Sequence, residues 1–134
     1  MLPVHEATVR LFLHVLAATI WVGGQLTLAG LLPVVRTLGP DTSKAVARQF
    51  DRIAWPAFGV LVVTGIWNLI DIDVTDTSTE YQATLGLKLV LVALSGGGAA
   101  VHRGATSRKV LAITGALGGL GALGALFVGV QLRT

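Results

Sequence analysis

The sequence predicts an all-α integral membrane protein, a bundle of four transmembrane helices with both termini on the extracytoplasmic side. Three observations predict it. The 134 residues are 53% hydrophobic and only 13% charged, with a mean hydropathy of +0.76, whereas a soluble domain carries about 25% charged residues. Four apolar stretches each approach the roughly 20 residues that cross a hydrocarbon core, and together they use most of the chain. The basic residues gather in alternate connections between these stretches, as orientation in a membrane requires.

The spans fall at about 8–35, 53–70, 82–101 and 110–132, and form one domain over residues 1–134. Span one opens after His5-Glu6 and closes around Pro33 and Arg36. Its length, with Trp21, Gln25 and Pro33 in place of small residues, does not fit a cleavable signal peptide. Before span two, Asp41-Thr42-Ser43 offers N-cap chemistry. The amphipathic stretch SKAVARQFDRIAW extends a helix from the interface into span two, with Pro56 expected to kink it.

Orientation follows from charge. Arg36, Lys44, Arg48 and Arg52 surround the first connection, and Arg103, Arg108 and Lys109 the third. The opposite side holds only Arg10 and Arg133, with acidic Glu6, Asp71, Asp73, Asp76 and Glu80. Loops 36–52 and 102–109 are therefore expected to be cytoplasmic, in a plasma (inner) membrane protein. The net charge of +3 suits anionic head groups; no groove-reading module for nucleic acid is present. Without cysteine, neither disulfides nor thiolate chemistry are available.

Span four presents Gly115, Gly118, Gly119, Ala122, Ala125 and Gly129 on one broad face, and span three carries Gly96, Gly97 and Gly98. Small residues at such spacing let helix backbones approach in lipid. Packing within the bundle and a homo-oligomer interface are both open readings of that face.

Ionisable groups within spans are costly and point to function. Here they are Arg10, His14, Lys88 and, at a boundary, His102. His14 and Lys88 each lie about six residues inside the outer end of their spans, roughly 9 Å deep at 1.5 Å per residue. They are expected to meet. His102 lies about 21 Å along the helix from Lys88, too far to share a metal ion with His14 in one bundle.

Helical periodicity puts Arg10, His14, Ala17, Ala18, Trp21 and Gln25 on one face of span one. Thr84, Lys88, Ser95, Ala99 and His102 share a face of span three, while Thr64 and Asn68 are one turn apart in span two. The small Ala17 and Ala18 beside His14 would leave room for something flat. Each residue also has a plain structural role. A histidine bonds a neighbouring helix, a lysine snorkels outward, and Trp21, Trp55 and Trp67 anchor interfaces or pack.

Three stretches carry a family resemblance. Span one reads LHVLAATIWVGGQLTLAGLLPVVR, span two RIAWPAFGVLVVTGIWNLI, and span three LGLKLVLVALSGGGAAVH. In order, they show a histidine followed by Trp-x-Gly-Gly, a Thr-Gly in the outer half, then an early lysine and a closing histidine. This resembles the copper resistance protein D family and its wider superfamily, which includes the HemJ-type protoporphyrinogen oxidases. The resemblance covers about residues 10–103, with span four similar only in being apolar. It implies a b-type haem held by His14, with Lys88 matching the superfamily's span-three lysine. It alternatively implies copper uptake.

On this resemblance the leading expectation is a b-haem membrane protein in redox or electron transfer, with His14 as axial ligand. Lys88 would be the opposite ligand or a proton donor, and Arg10 would pair with the propionates. Ala17, Ala18, Trp21 and Thr64 would line the site. No enzymatic reaction is asserted, because no feature demonstrates a porphyrin substrate cleft. The second expectation is copper handling through His14, His5, Glu6 and the acidic loop, since Met1 is the sole methionine and cysteine is absent. The third is a cofactor-free structural or assembly subunit.

Overall fold

The computed structural model describes residues 3–134. Among them the regular elements are all helical: α1 (Glu6–Thr37), α2 (Pro40–Ile70), α3 (Thr79–Gly104) and α4 (Arg108–Gln131), with a single 3-10 turn at Val74–Asp76. All four long helices have the length and composition to cross a membrane. Phe12, Val63, Leu120 and Phe127 point outward, which lipid tolerates and water does not. The protein is thus an all-α, multi-pass membrane protein with four long apolar helices.

Between Ile72 and Asp73 the chain divides into two compact units, and each is a helical hairpin. In the first, α1 and α2 are joined by only Leu38 and Gly39. So tight a reversal needs a residue with positive φ, and Gly39 adopts φ of 101°. Pro40 then opens α2 at a position where its missing N–H costs nothing.

Here the structure corrects the expected boundaries. Residues 40–52, part of the expected loop 36–52, are helical, as the amphipathic stretch beginning at Ser43 led one to expect. They are the first two fifths of a 31-residue helix, about 46 Å long at 1.5 Å per residue, against a hydrocarbon core of about 30 Å. The Asp41-Thr42-Ser43 triplet does not cap that helix, because Gly39 holds the N-cap position. Thr42 and Ser43 instead donate back to the carbonyls of Leu38 and Gly39, both at 3.2 Å. Helix α2 continues unbroken through Pro56.

Helix α1 contains a feature that periodicity did not foretell. Thr19–Gly23 form a π-helical turn, which inserts one extra residue and shifts the faces beyond it. Gln25 donates its side-chain amide to the Trp21 carbonyl at 3.0 Å, a further polar bond to this stretch. Beyond the turn, a Cβ on Gly24 would stand 2.8 Å from the Phe50 ring, so α2 comes close where α1 has no side chain.

The second hairpin begins with an acidic turn. The Asp73 carboxylate accepts from the Thr75 backbone N–H at 3.2 Å and from its hydroxyl at 2.6 Å. Ser78 caps α3 by accepting from Tyr81 N–H. Residues 105–107 alone link α3 to α4, so the expected loop 102–109 is shorter than its sequence suggested.

Helices α3 and α4 meet backbone to backbone. A Cβ on Gly98 would lie 2.9 Å from the Gly118 nitrogen, and one on Gly121 3.0 Å from the Leu91 carbonyl oxygen and the Ser95 nitrogen. Ser95, 1% exposed, donates to the Gly118 carbonyl at 2.9 Å. The small-residue face of span four is therefore used inside its own hairpin. Gly121 and Gly124 belong to it, while Gly119 looks onto open space.

Candidate functional site

The polar residues singled out in spans one and two form a ladder along the first hairpin. Arg10 and His14 are one turn apart on α1, and Asn68 and Thr64 are one turn apart on the antiparallel α2. Arg10 Nε donates to Asn68 Oδ1 at 2.9 Å, and His14 Nδ1 meets Thr64 Oγ1 at 2.8 Å.

Arg10 is 7% exposed, and so buried a guanidinium requires compensation. Its Nη1 pairs with the Asp71 carboxylate and lies 3.9 Å from Glu6. Its Cζ sits 5.6 Å from the centre of the Trp67 ring, within cation–π range. The guanidinium expected to meet haem propionates is thus already engaged by protein groups. Asp71, expected in an acidic mouth for cations, ties the end of α2 to α1, and Asp73 is spent on its own turn.

The hydrogen on His14 follows from its partner. Thr64 is 3% exposed and has one hydroxyl hydrogen. Its oxygen lies 2.6 Å from the Val60 carbonyl and 3.2 Å from that of Leu61. A hydrogen turned towards His14 would leave three acceptors crowded together, so the hydroxyl donates to the backbone and accepts from the imidazole. Nδ1 therefore carries a hydrogen, and in a neutral ring the lone pair would fall on Nε2. A ring whose tautomer and orientation are fixed through Nδ1 is the usual arrangement for a metal-binding histidine. Gly65 lies beside it: a Cβ there would stand 3.5 Å from His14 Cε1, an ordinary van der Waals contact.

The remaining α1 residues pack more than they line a cleft. Ala17 is 3% exposed, so the space it frees is filled by protein, while Ala18 is half-buried. Trp21, also 3% exposed, stacks near Phe58 with centroids 4.4 Å apart and meets Trp55 edge-on at 5.5 Å. This aromatic cluster follows directly below the polar ladder.

In the second hairpin Lys88 lies against α4, its Nζ 3.3 Å from where a Gly129 Cβ would be. At the connected end, His102 Nδ1 lies 3.0 Å from the Leu111 carbonyl and 3.2 Å from Thr114 Oγ1. Among the described residues no group of three His, Cys, Asp or Glu side chains is placed to hold a metal ion.

Sequence reasoning found Arg10, His14 and Thr64 but missed Asn68 as the arginine's partner and Asp71 as its counter-charge. A signal was available: Thr64, Asn68 and Asp71 follow each other at helical spacing. The same reasoning also passed over the likeness of Thr64-Gly65 and Thr114-Gly115.

No curated protein and no solved structure matches the chain. A family model, described as Copper resistance protein D, matches residues 44–128. That segment reaches from the basic start of α2 into α4, including the fourth span that had seemed similar only in being apolar. It leaves out α1, and with it His14. With well over half of its length matched, the chain belongs to the copper resistance protein D family.

Proposed function

We propose that the protein handles copper at the membrane, passing it rather than storing it. The family match over residues 44–128 carries this reading. The ligand chemistry gives it its form. Tight storage of copper calls for several converging donors, preferably sulfur. This sequence has no cysteine, and the described residues bring no three metal-binding side chains together. Single imidazoles hold copper weakly and release it, which suits transfer. His14 is the first contact.

Seven basic residues border the first and third connections against two on the other side, which supports cytoplasmic connections and extracytoplasmic termini. On that orientation His14 faces the outer half of the membrane. Reporter fusions at the C-terminus test it: an exported enzyme should be active there and a cytoplasmic fluorophore dark.

Copper content and copper-dependent growth of expressing cells test the function. The protein should change both relative to empty vector, and His14→Ala, at equal membrane levels, should lose most of the effect. Equality of wild type and vector would sink the reading.

A second reading, a b-type haem on His14 with a redox role, is favoured by one observation. The Nδ1–Thr64 bond sets Nε2 as the ligating nitrogen that a haem iron needs. Such a haem would supply one-electron chemistry, while the protein would orient the imidazole. Absorption spectra of oxidised and reduced protein separate the two. A Soret band lost in His14→Ala supports haem; a colourless folded protein excludes it.

A further inference from the structure

The second hairpin repeats the histidine support of the first at a place the copper reading has not used. Leu111 offers only a carbonyl oxygen to His102, so Nδ1, 3.0 Å away, must be the donor. Thr114 Oγ1, at 3.2 Å, shares that hydrogen while its own goes to the Val110 carbonyl at 2.6 Å. A Cβ on Gly115 would come within 3.2 Å of His102 Cε1. The threonine, its backbone acceptor and the adjoining glycine have counterparts in Thr64, Val60 and Gly65 beside His14, whereas the Leu111 carbonyl has none. In both hairpins a Thr-Gly pair on the second helix adjoins the imidazole of the first, and Nδ1 carries a hydrogen, held in the second hairpin by the Leu111 carbonyl as well.

The difference lies in access. His102 is exposed, whereas His14 is half-buried. Arg103 is the next residue, about 100° further round the helix, so its charge projects from a different face.

We propose that His102 is a second copper contact, whose Nε2 takes Cu(I) in transit. This rests on the copper-handling reading and extends it to a second site. With one donor from this chain, the other coordination positions are filled by the molecule that brings or receives the ion, a soft-donor carrier such as a thiolate peptide. A bond orienting Nδ1 without blocking Nε2 is the support that metal-binding imidazoles require.

The test uses the full chain in detergent micelles, labelled with 15N-histidine and titrated with Ag(I) as a redox-inert substitute for Cu(I). Loss of signals in His5→Ala, His14→Ala and His102→Ala assigns the three rings. The His102 ring should show hydrogen on Nδ1 before titration, and its Nε2 resonance should move upfield on addition of Ag(I). Thr114→Val should leave that response largely intact, because the Leu111 carbonyl still holds the Nδ1 hydrogen. A His102 resonance unmoved by Ag(I) overturns the inference, whatever His14 does. If His14 responds and His102 does not, copper handling stands without this site. If expressing cells show no copper effect, the reading beneath it falls as well.

Discussion

The two hairpins solve one problem by opposite means. Inside lipid the hydrophobic effect no longer draws helices together, so pairing depends on packing and on polar bonds. The first hairpin uses side chains: Arg10 with Asn68 and Asp71, His14 with Thr64, and Trp21 with Trp55 and Phe58. The second removes side chains: Gly98 and Gly121 let two backbones touch, and Ser95 bonds a carbonyl across the gap. A side-chain interface is made of separable parts and can carry polar groups suited to function. A backbone interface has no slack, because nothing at the contact can turn aside.

The comparison breaks most easily at Gly98. A side chain there meets the Gly118 nitrogen at 2.9 Å and the Thr114 carbonyl at 3.1 Å, neither of which can move alone. Gly98→Val should destabilise the second hairpin towards the upper end of the roughly 1–3 kcal/mol expected of overpacking, with Gly98→Ala nearer the lower end. Gly97→Ala, one position away and facing open space, is the control and should change little. Steric-trapping unfolding in bicelles would measure all three. Equal effects at positions 97 and 98 would refute backbone contact as the source of stability.

In the first hairpin the largest loss should follow from removing the counter-charge. Asp71→Ala leaves Arg10 buried with Asn68, Trp67 and a distant Glu6. The cost should be about 2 kcal/mol, typical of a hydrogen bond to a charged group, moderated because Asp71 is itself half-exposed. Asp71→Asn should recover part of it. The same unfolding measurement decides, and a neutral Asp71→Ala would mean that Arg10 reaches water or lipid head groups instead.

Much of this was legible in the sequence, and the remainder for physical reasons was not. Hydropathy alone places four spans, because a bilayer demands apolar length whatever the packing. Residues such as Arg10, His14 and Thr64 stand out because ionisable or polar groups are rare in spans. Partnership is another matter. That Arg10 pairs with Asn68 depends on the register of α1 against α2, which the two-residue turn at Leu38-Gly39 fixes and composition does not. The π-turn at Thr19–Gly23 is equally hidden, since one inserted residue shifts the faces beyond it without changing how apolar the span is. On the glycine face Gly115, Gly118, Ala122 and Gly129 were found, Gly121 and Gly124 were passed over, and Gly119 looks onto open space.

The smallest expected effect bears on the shared feature, the Thr-Gly pair beneath each histidine. Thr64→Val and Thr114→Val keep shape while deleting one hydroxyl. Interhelical hydrogen bonds in membranes average about 0.6 kcal/mol, so each variant should lose little stability. Their effects on the imidazoles should differ. His14 has Thr64 as its bond partner at Nδ1, whereas His102 keeps the Leu111 carbonyl when Thr114 is lost. In 15N-histidine spectra, Thr64→Val should mix the two tautomers of His14, and Thr114→Val should leave His102 with its hydrogen on Nδ1. Equal mixing at both rings would show that the threonine, and not the carbonyl, fixes His102, and the two hairpins would then hold their histidines in the same way.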